Sequence, residues 1–283
     1  MLAEFKPQVL KTKTRTLLIE KPMVMGILNT TSDSFYDGGK YHTIENALKH
    51  CSEMLENGAD IIDIGGQSTR PGAAMVSADF EQSITAPVIE AIMKHFPQTI
   101  ISIDTFRASV AKAALDAGAA MVNDVSAGDD DPEMLTTVAK FDVPYIAMHK
   151  KGMPADMQND PKYQDVTLEV HNYFKAKLIE TQSAGISQTI IDPGFGFGKT
   201  MTHNYHLLSQ LQSFQSFNLP ILVGVSRKSM IWKLLSVDPK NALNGTSSVN
   251  TIALLNGAHI LRVHDVKEAV ECVKVVSMLR KSL

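Results

Sequence analysis

Cysteine is nearly absent from this chain. Only Cys51 and Cys272 occur among 283 residues, and each falls on an apolar position of a helical pattern, which favours buried, reduced thiols over a disulfide framework or a cysteine-ligated metal. Long apolar runs are also missing. No stretch approaches the ~18 consecutive apolar residues that a membrane span requires, and the opening "MLAEFKPQVLKTKTRTLLIE" has no continuous apolar core of a secretory signal. A cytoplasmic location with no membrane partner is expected. An excess of positive charge is lacking too: 27 Lys and Arg against 30 Asp and Glu give a net charge of −3. Without a basic stripe to neutralise a phosphate backbone, nucleic acid is not an expected partner.

Two phosphate-binding signatures are each missing by one residue. "IIDPGFGFGKT" (190–200) ends in Gly-Lys-Thr, but the P-loop spacing would need glycine where Pro193 stands. Proline has no N–H to offer a phosphate. The dinucleotide pattern that could begin at Gly194 and Gly196 would need its third glycine at Lys199. The purpose of this segment must be sought in the rest of the chain.

What the sequence does have is a recurring phrase: a helical stretch, a glycine stop, a short apolar run, then polar residues. It appears as "ENGADIIDIGGQS" (56–68), "DAGAAMVNDVSAG" (116–128), "SAGISQTIIDPG" (183–194) and "NGAHILRVHDV" (256–266). Glycine just past a helix permits the left-handed residue that ends it, and a short apolar run reads as a parallel strand buried on both faces. Repeating the unit places eight strands, beginning near Met23, Asp60, Thr99, Ala120, Val143, Gln188, Pro220 and Ala258. Helices fit between them. Over 43–57, Ile44, Ala47, Leu48, Cys51, Met54 and Leu55 make a one-sided apolar face. Over 265–281, Asp265 and Glu268 form a variant capping box ahead of Val266, Ala269, Val270, Val273 and Val276. Eight β/α units in this length predict an α/β fold, a (β/α)8 TIM barrel. The expected organisation is one domain over 1–283, with residues 1–20 as an N-terminal hairpin or arm and 21–283 as the barrel. An open doubly wound sheet is the alternative, but it carries a glycine fingerprint after its first strand that "MGILNTTSDS" lacks.

In a barrel the chemistry sits at the carboxyl ends of the strands. Those ends deliver Asn29; Ser68, Thr69 and Arg70; Asp104; Asn123 and Asp124; His149; Asp192; Ser226, Arg227 and Lys228; and Arg262 and His264. Any one of these reads equally well as a helix cap; eight polar ends together do not. Asn29, Thr69, Arg70, Arg262 and His264 come from strands that become neighbours on closure, and such donors suit a phosphate or diphosphate. Asp104, Asn123 and Asp192, with Lys228, suit the amino-amidine edge of a flat heterocycle. A metal held by Asp104 and Asp192 is a further reading, without a third ligand at suitable spacing. His149 reads as a structural histidine or as a ligand. The polar loops at 29–41 and 65–74 read as lids over an anion site or as plain surface connections. Mg²⁺ is expected beside the phosphates, with Asn29 as a single protein oxygen.

"MGILNTTSDSFYDGG", "DIIDIGGQSTRPGA", "ISIDT", "MVNDVSAG", "DPGFGFGK", "VGVSRKSMI" and "RVHDV", in this order from about Met23 to the last helix, resemble the dihydropteroate synthase family of pterin-binding TIM barrels. The resemblance implies condensation of (7,8-dihydropterin-6-yl)methyl diphosphate with 4-aminobenzoate, giving dihydropteroate and diphosphate on the route to folate. It implies Asn29 as the Mg²⁺ ligand, and Thr69 and Arg70 serving diphosphate and 4-aminobenzoate. Asp104, Asn123 and Asp192 would hold the pterin, Lys228, with Ser229, would touch the substrates, and Arg262 and His264 would grip the diphosphate. Phe197 would wall the aminobenzoate slot. A homodimer built through the last helices is implied as well, as is membership of a family that is a sulfonamide target.

This sequence departs from the family pattern at Ser32, where proline is usual, at Gln67 for glutamate, at Lys151 for methionine or glutamine, and at Trp232 for glycine. None of these removes an implied ligand; Ser32 and Gln67 bear on how the loops close. Two rival readings share the pterin edge: methyl transfer from a methyltetrahydrofolate, which has no use for the anion cluster, and a catalytically silent pterin-binding paralogue.

Overall fold

The computed structural model of the chain describes residues 3–12, 15–30, 39–67, 75–152, 157 and 160–282. An antiparallel hairpin comes first, β1 (Gln8–Lys11) paired with β2 (Thr16–Ile19). Eight strands follow: β3 (Met23–Asn29), β4 (Ile61–Gly65), β5 (Ile101–Asp104), β6 (Met121–Asp124), β7 (Tyr145–Met148), β8 (Thr189–Asp192), β9 (Leu222–Val223) and β10 (Ile260–Val263). They lie parallel in the order β8-β7-β6-β5-β4-β3-β10-β9. A parallel bridge between Ile191 and Ile221 brings the two ends together, so the sheet is a near-closed barrel. Around it run α1 (Gly39–Glu56), α2 (Ala78–His95), α3 (Ala108–Asp116), α4 (Met134–Phe141), α5 (Val166–Ser183), α6 (Met201–Ser209), α7 (Ser229–Trp232), α8 (Leu243–Leu255) and α9 (Val266–Lys281).

The punctuation expected from sequence is present. Gly58, Gly118, Gly185 and Gly257, the stops of the four recurring phrases, all take positive φ, and each precedes a strand of the barrel. The apolar face expected for α1 is also there: Ala47, Cys51 and Met54 are buried, with Ile44, Leu48 and Leu55 half-buried against the same core. Cys51 and Cys272 are free and buried, and burial pushes the Cys51 thiol up to about 12.

Strand alternation divides the core in two. Val24, Leu28, Ile62, Ile64, Ile101, Ile103, Val122, Tyr145, Ala147, Ile191, Val223, Leu261 and Val263 point outward and meet the helices. Met23, Met25, Ile61, Ile100, Met121, Ile146, Ile190, Leu222 and Ile260 form a second, interior cluster at the amino end of the strands. The hairpin plugs that end, adding Leu10 and Ile19 to the interior cluster. Each such side chain stabilises the fold by roughly 1.5–3 kcal/mol on full burial. Gln188 fastens the plug, its amide bonding both the N–H and the carbonyl of Lys11. With its floor sealed by apolar groups, the barrel interior is open to chemistry only at the carboxyl end.

One expected local feature is replaced by a longer-range one. Asp265 does precede α9, but its carboxylate makes no capping bond to the helix. It accepts two bonds instead from Arg227, at 2.8 Å from Nε and 2.7 Å from Nη2. Arg227 has φ of 54° and donates from Nη1 to the carbonyls of Pro239 and Lys240, so one guanidinium ties the end of β9 to the 3₁₀ turn at 239–241 and to the start of α9. A bidentate guanidinium–carboxylate pair outcompetes a single cap bond. Arg227→Ala is therefore expected to lower unfolding stability by about 2 kcal/mol and Glu268→Ala by less than about 0.5 kcal/mol, measured by urea denaturation. Equal losses would restore the capping box.

Candidate active site

Above the apolar floor the inward positions turn polar. Asp63 stands two residues beyond Ile61, Asn123 two beyond Met121, Asp192 two beyond Ile190 and Arg262 two beyond Ile260, so all four share the inner face of the barrel. Asp104 joins them from the end of β5. Their neighbours Asp124 and Val263 face the other way. Asp124 is a structural group: its carboxylate accepts from the Ser126 N–H and hydroxyl, the Gly128 N–H and the Tyr145 hydroxyl, all at 2.7 Å.

Arg262 is the hub of the polar layer. Its Nε donates to Asp63 Oδ2 and its Nη2 to Asp104 Oδ2, each at 2.6 Å. Asp63 Oδ2 accepts a second bond, 3.0 Å from Asn123 Nδ2, while Asp63 Oδ1 is buried with no hydrogen-bond partner among the described residues. Burial works against the Arg262 charge, but Asp63 and Asp104 outweigh it and hold the guanidinium above its ordinary range. Burial also pushes the Asp104 carboxyl up to about 7, against the pull of Arg262 and with the push of Asp63.

A cleft opens above this layer, lined by Asp104, Asn123, Asp192, Phe197, Lys228 and Arg262 together with Val125, Met148 and Gly224. Five groups expected from sequence to bind a flat heterocycle or an anion thus meet in one cavity. Phe197 meets them there. Asp192 accepts the Gly194 N–H at 2.8 Å, and burial raises its carboxyl although Lys228 and that N–H oppose the rise. Lys228 donates to the Phe195 carbonyl at 2.5 Å, and its ammonium lies 4.6 Å from the centre of the Phe197 ring. Burial lowers it to about 8, with Asp192 acting in the opposite sense and Arg262 in the same one.

At the rim, Asn29 ends β3 half-buried, and Ser229 opens α7 directly after Lys228. His264 is exposed one residue past β10; its N–H donates to Ser226 Oγ at 3.2 Å, and its Nδ1 is 3.1 Å from the same oxygen. Thr69 and Arg70, with Ser68 and Ser32, lie outside the described residues. The stem before them is well held: Gln67 Oε1 accepts the Val76 N–H at 2.8 Å, the acceptor role a glutamate would play there. Arg107 Nη2 donates to the Val76 carbonyl at 2.7 Å, and its other arm pairs with the buried Glu81.

The segment 190–200 is no phosphate cradle. Thr200 caps α6, its Oγ accepting from His203 N while His203 Nδ1 accepts from Thr200 N, so the helix end is already occupied. Lys199 is buried rather than presented to a ligand. It donates to Gly194 O at 2.8 Å, His149 Nδ1 at 2.9 Å and Phe197 O at 3.2 Å. His149 is accordingly structural: burial and then Lys199 lower it to about 2, and it stacks edge-on to Tyr173 at 4.9 Å. Asp63 and Lys199 are the functional-site neighbours that sequence reasoning passed over. An aspartate inside "DIIDIGG", a strand otherwise buried on both faces, was the available signal for the first; nothing in "GFGKT" separates a buried lysine from an exposed one.

The model of the family described as pterin binding enzyme matches residues 25–264. Dihydropteroate synthase of Escherichia coli (strain K12) is 47% identical over 263 residues, covering 92% of this chain and 93% of the relative. The chain belongs to the dihydropteroate synthase family. Among solved members, the Yersinia pestis dihydropteroate synthase in a sulfonamide drug complex superposes with a TM-score of 0.91 at 43% identity, covering 97% of this chain and 100% of that one. The Xanthomonas albilineans dihydropteroate synthase with 4-aminobenzoic acid gives 0.90 at 39% identity, covering 97% and 99%.

In this dihydropteroate synthase fold the polar layer rests on Asp63, which is fully buried. Removing one partner from a buried ion pair leaves the other uncompensated. Asp63→Ala is expected to cost roughly 3 kcal/mol of unfolding stability, read from chemical denaturation; a loss within about 0.5 kcal/mol would mean that Asp104 alone satisfies Arg262.

Proposed function

We infer that this chain joins (7,8-dihydropterin-6-yl)methyl diphosphate to 4-aminobenzoate, giving 7,8-dihydropteroate and diphosphate in folate biosynthesis. The observation that carries the reading is the single cavity in which Asp104, Asn123 and Asp192 supply acceptors, Lys228 and Arg262 supply donors, and Phe197 supplies an aromatic wall. A pterin edge has adjacent N–H donors beside a carbonyl, and two carboxylates with a lysine match that sequence of partners. Asn123 donates one of its two amide N–H groups to Asp63, and its carbonyl is the acceptor it brings to a ligand.

The chemistry asks little of a base. The aniline nitrogen is neutral, its lone pair forms the new C–N bond at the pterin methylene, the C–O bond breaks, and the diphosphate leaves with the electron pair. The aniline proton is lost afterwards to solvent or to the departing anion. What the protein must do is hold the ring, orient the methylene and stabilise charge on the leaving oxygen. Asp104, Asn123 and Asp192 hold the pterin, Phe197 and Lys228 flank the amine, Arg262 and His264 serve the diphosphate, and Thr69 and Arg70 serve the diphosphate and 4-aminobenzoate, with Ser229 beside Lys228 at the slot.

Asn29 fits the Mg²⁺ expected with a diphosphate. Its side chain makes no hydrogen bond to any described residue, so a neutral oxygen at the cleft rim is open to a cation that otherwise keeps waters and phosphate oxygens. When bound, the ion would neutralise charge on the diphosphate.

Release of diphosphate that depends on 4-aminobenzoate, with dihydropteroate identified by mass, is the expected result; tight pterin binding without turnover would overturn the reading. Lys228 is charged below its folded value of about 8 and neutral above it, and the charged form is the donor. The kcat/KM for the pterin substrate should therefore fall as pH rises through about 8. Lys228→Arg should move that limb upward, because a guanidinium does not titrate there. An unmoved limb would remove Lys228 as its source.

A homodimer through the last helices is supported by an exposed apolar strip, Ile252 on α8 with Val275, Met278 and Leu279 on α9. Spacing of three and four residues puts the last three on one helix face. Val275→Glu combined with Met278→Glu should convert a dimer to a monomer in sedimentation velocity. An unchanged sedimentation coefficient would place the interface elsewhere.

A further inference from the structure

The two halves of the cleft are held in different ways. Groups on the pterin side belong to strands: Asp192 is in register with Met148, and its carbonyl accepts the His149 N–H at 2.9 Å. Phe197, on the amine side, lies five residues past the end of β8 on a loop with no ladder to fix it. Something else must hold that ring.

The loop is pressed hard against the chain leaving β7. A Cβ on Gly194 would lie 1.8 Å from the His149 carbonyl oxygen, and one on Gly198 would lie 2.1 Å from that of Lys151, so both positions need glycine. Beneath this contact sits the Lys199 ammonium. Besides its three shorter bonds it reaches the His149 carbonyl at 3.4 Å, so its partners come from both sides of the contact. An ammonium has three protons to give, and here they are shared among the side chain and carbonyl of His149 and the carbonyls of Gly194 and Phe197. Asn204 completes the arrangement, accepting from Gly196 N at 2.7 Å and donating to the Lys199 carbonyl at 3.1 Å. A lysine that is 2% exposed cannot be a surface charge, and none of its bonds points into the cleft.

We propose that Lys199 is a positioning residue, which ties the loop from Gly194 to Gly198 to the end of β7 and so holds Phe197 as the wall of the aromatic-amine slot beside Lys228. This rests on the synthase reading for the identity of the amine. Lys199 touches neither substrate; it acts through Phe197.

The test is a double-mutant cycle on the full chain with Lys199→Met and Phe197→Ala. Lys199→Met keeps the length of the side chain and removes its donors. The KM for 4-aminobenzoate should rise about tenfold or more, the range for a lost contact in an apolar pocket. Binding of the pterin diphosphate, measured by calorimetry, should change less than about threefold, and Lys199→Met should add little further in the Phe197→Ala background. Full additivity, or an equal loss in pterin binding, would reduce Lys199 to a general stabiliser and overturn the proposal. Should Lys199→Met not fold, Lys199→Gln, which keeps one donor group, carries the same cycle. Amide hydrogen exchange at Gly196 and Phe197 gives a readout independent of turnover. Faster exchange in the variant is expected, and unchanged exchange overturns the proposal whatever the activity. Absence of turnover in the parent chain would count against the synthase reading alone.

Discussion

One guanidinium organises the interior of this barrel. Arg262 reaches Asp63 and Asp104 from a strand that is almost two hundred positions away from the first of them, and through Asp63 it also determines which way Asn123 faces. A charge buried as deeply as that of Asp63 is tolerated only when paired and hydrogen-bonded. The inner layer carries three carboxylates, Asp63, Asp104 and Asp192, against Arg262 and Lys228, so an unfilled cleft has an acceptor in excess. A ligand edge rich in N–H groups supplies what is lacking. Selectivity for an amino-heterocycle follows from this imbalance before any shape is considered.

The position of the layer matters as much as its composition. Eight apolar side chains from the strands, Ile100 just before β5 and two from the hairpin seal the interior below it. Water therefore has access from the carboxyl end, and the polar groups work against an apolar floor where electrostatic interactions are less screened. That burial explains the opposed shifts of Asp104, pushed up to about 7, and Lys228, lowered to about 8: each is driven by loss of water and checked by a neighbour of opposite charge. In β4, β6, β8 and β10 sequence order thus becomes chemistry in two steps, apolar at the first inward position and polar at the second.

The strand and helix pattern was legible in the sequence because its signals are local. Gly58, Gly118, Gly185 and Gly257 end helices through their own backbone conformation, and each strand reads directly from a short apolar run. The strand-end residues of the cleft were legible for the same reason. Pairings were not. Arg262 read as an anion-binding group, and nothing local showed that its guanidinium also pairs with Asp63; Asp265 read as a helix cap because its competitor, Arg227, lies thirty-eight positions earlier. Asp63 could have been read as chemically marked, being a charge in the middle of a buried strand, but its inward direction depends on a register that emerges only when the barrel closes.

The Gly-Lys-Thr at 198–200 shows how the same letters can serve opposite ends. In a phosphate loop the helix N-terminus must keep free N–H groups for the anion, and the lysine must reach outward to it. Here the Thr200 hydroxyl and the His203 ring have taken the N–H groups of each other's residues, and the lysine has turned inward beneath the loop. Proline at 193 removes one more donor. The free positive charge that a phosphate would need is spent on carbonyl oxygens of the protein's own backbone. The gain is a rigid edge to the cleft: an aromatic ring is held opposite strand-borne carboxylates by a buried ammonium that burial has already lowered to about 7. A group so placed contributes geometry rather than charge, and its chemical neighbour in the cleft, Lys228, is left to supply the charge.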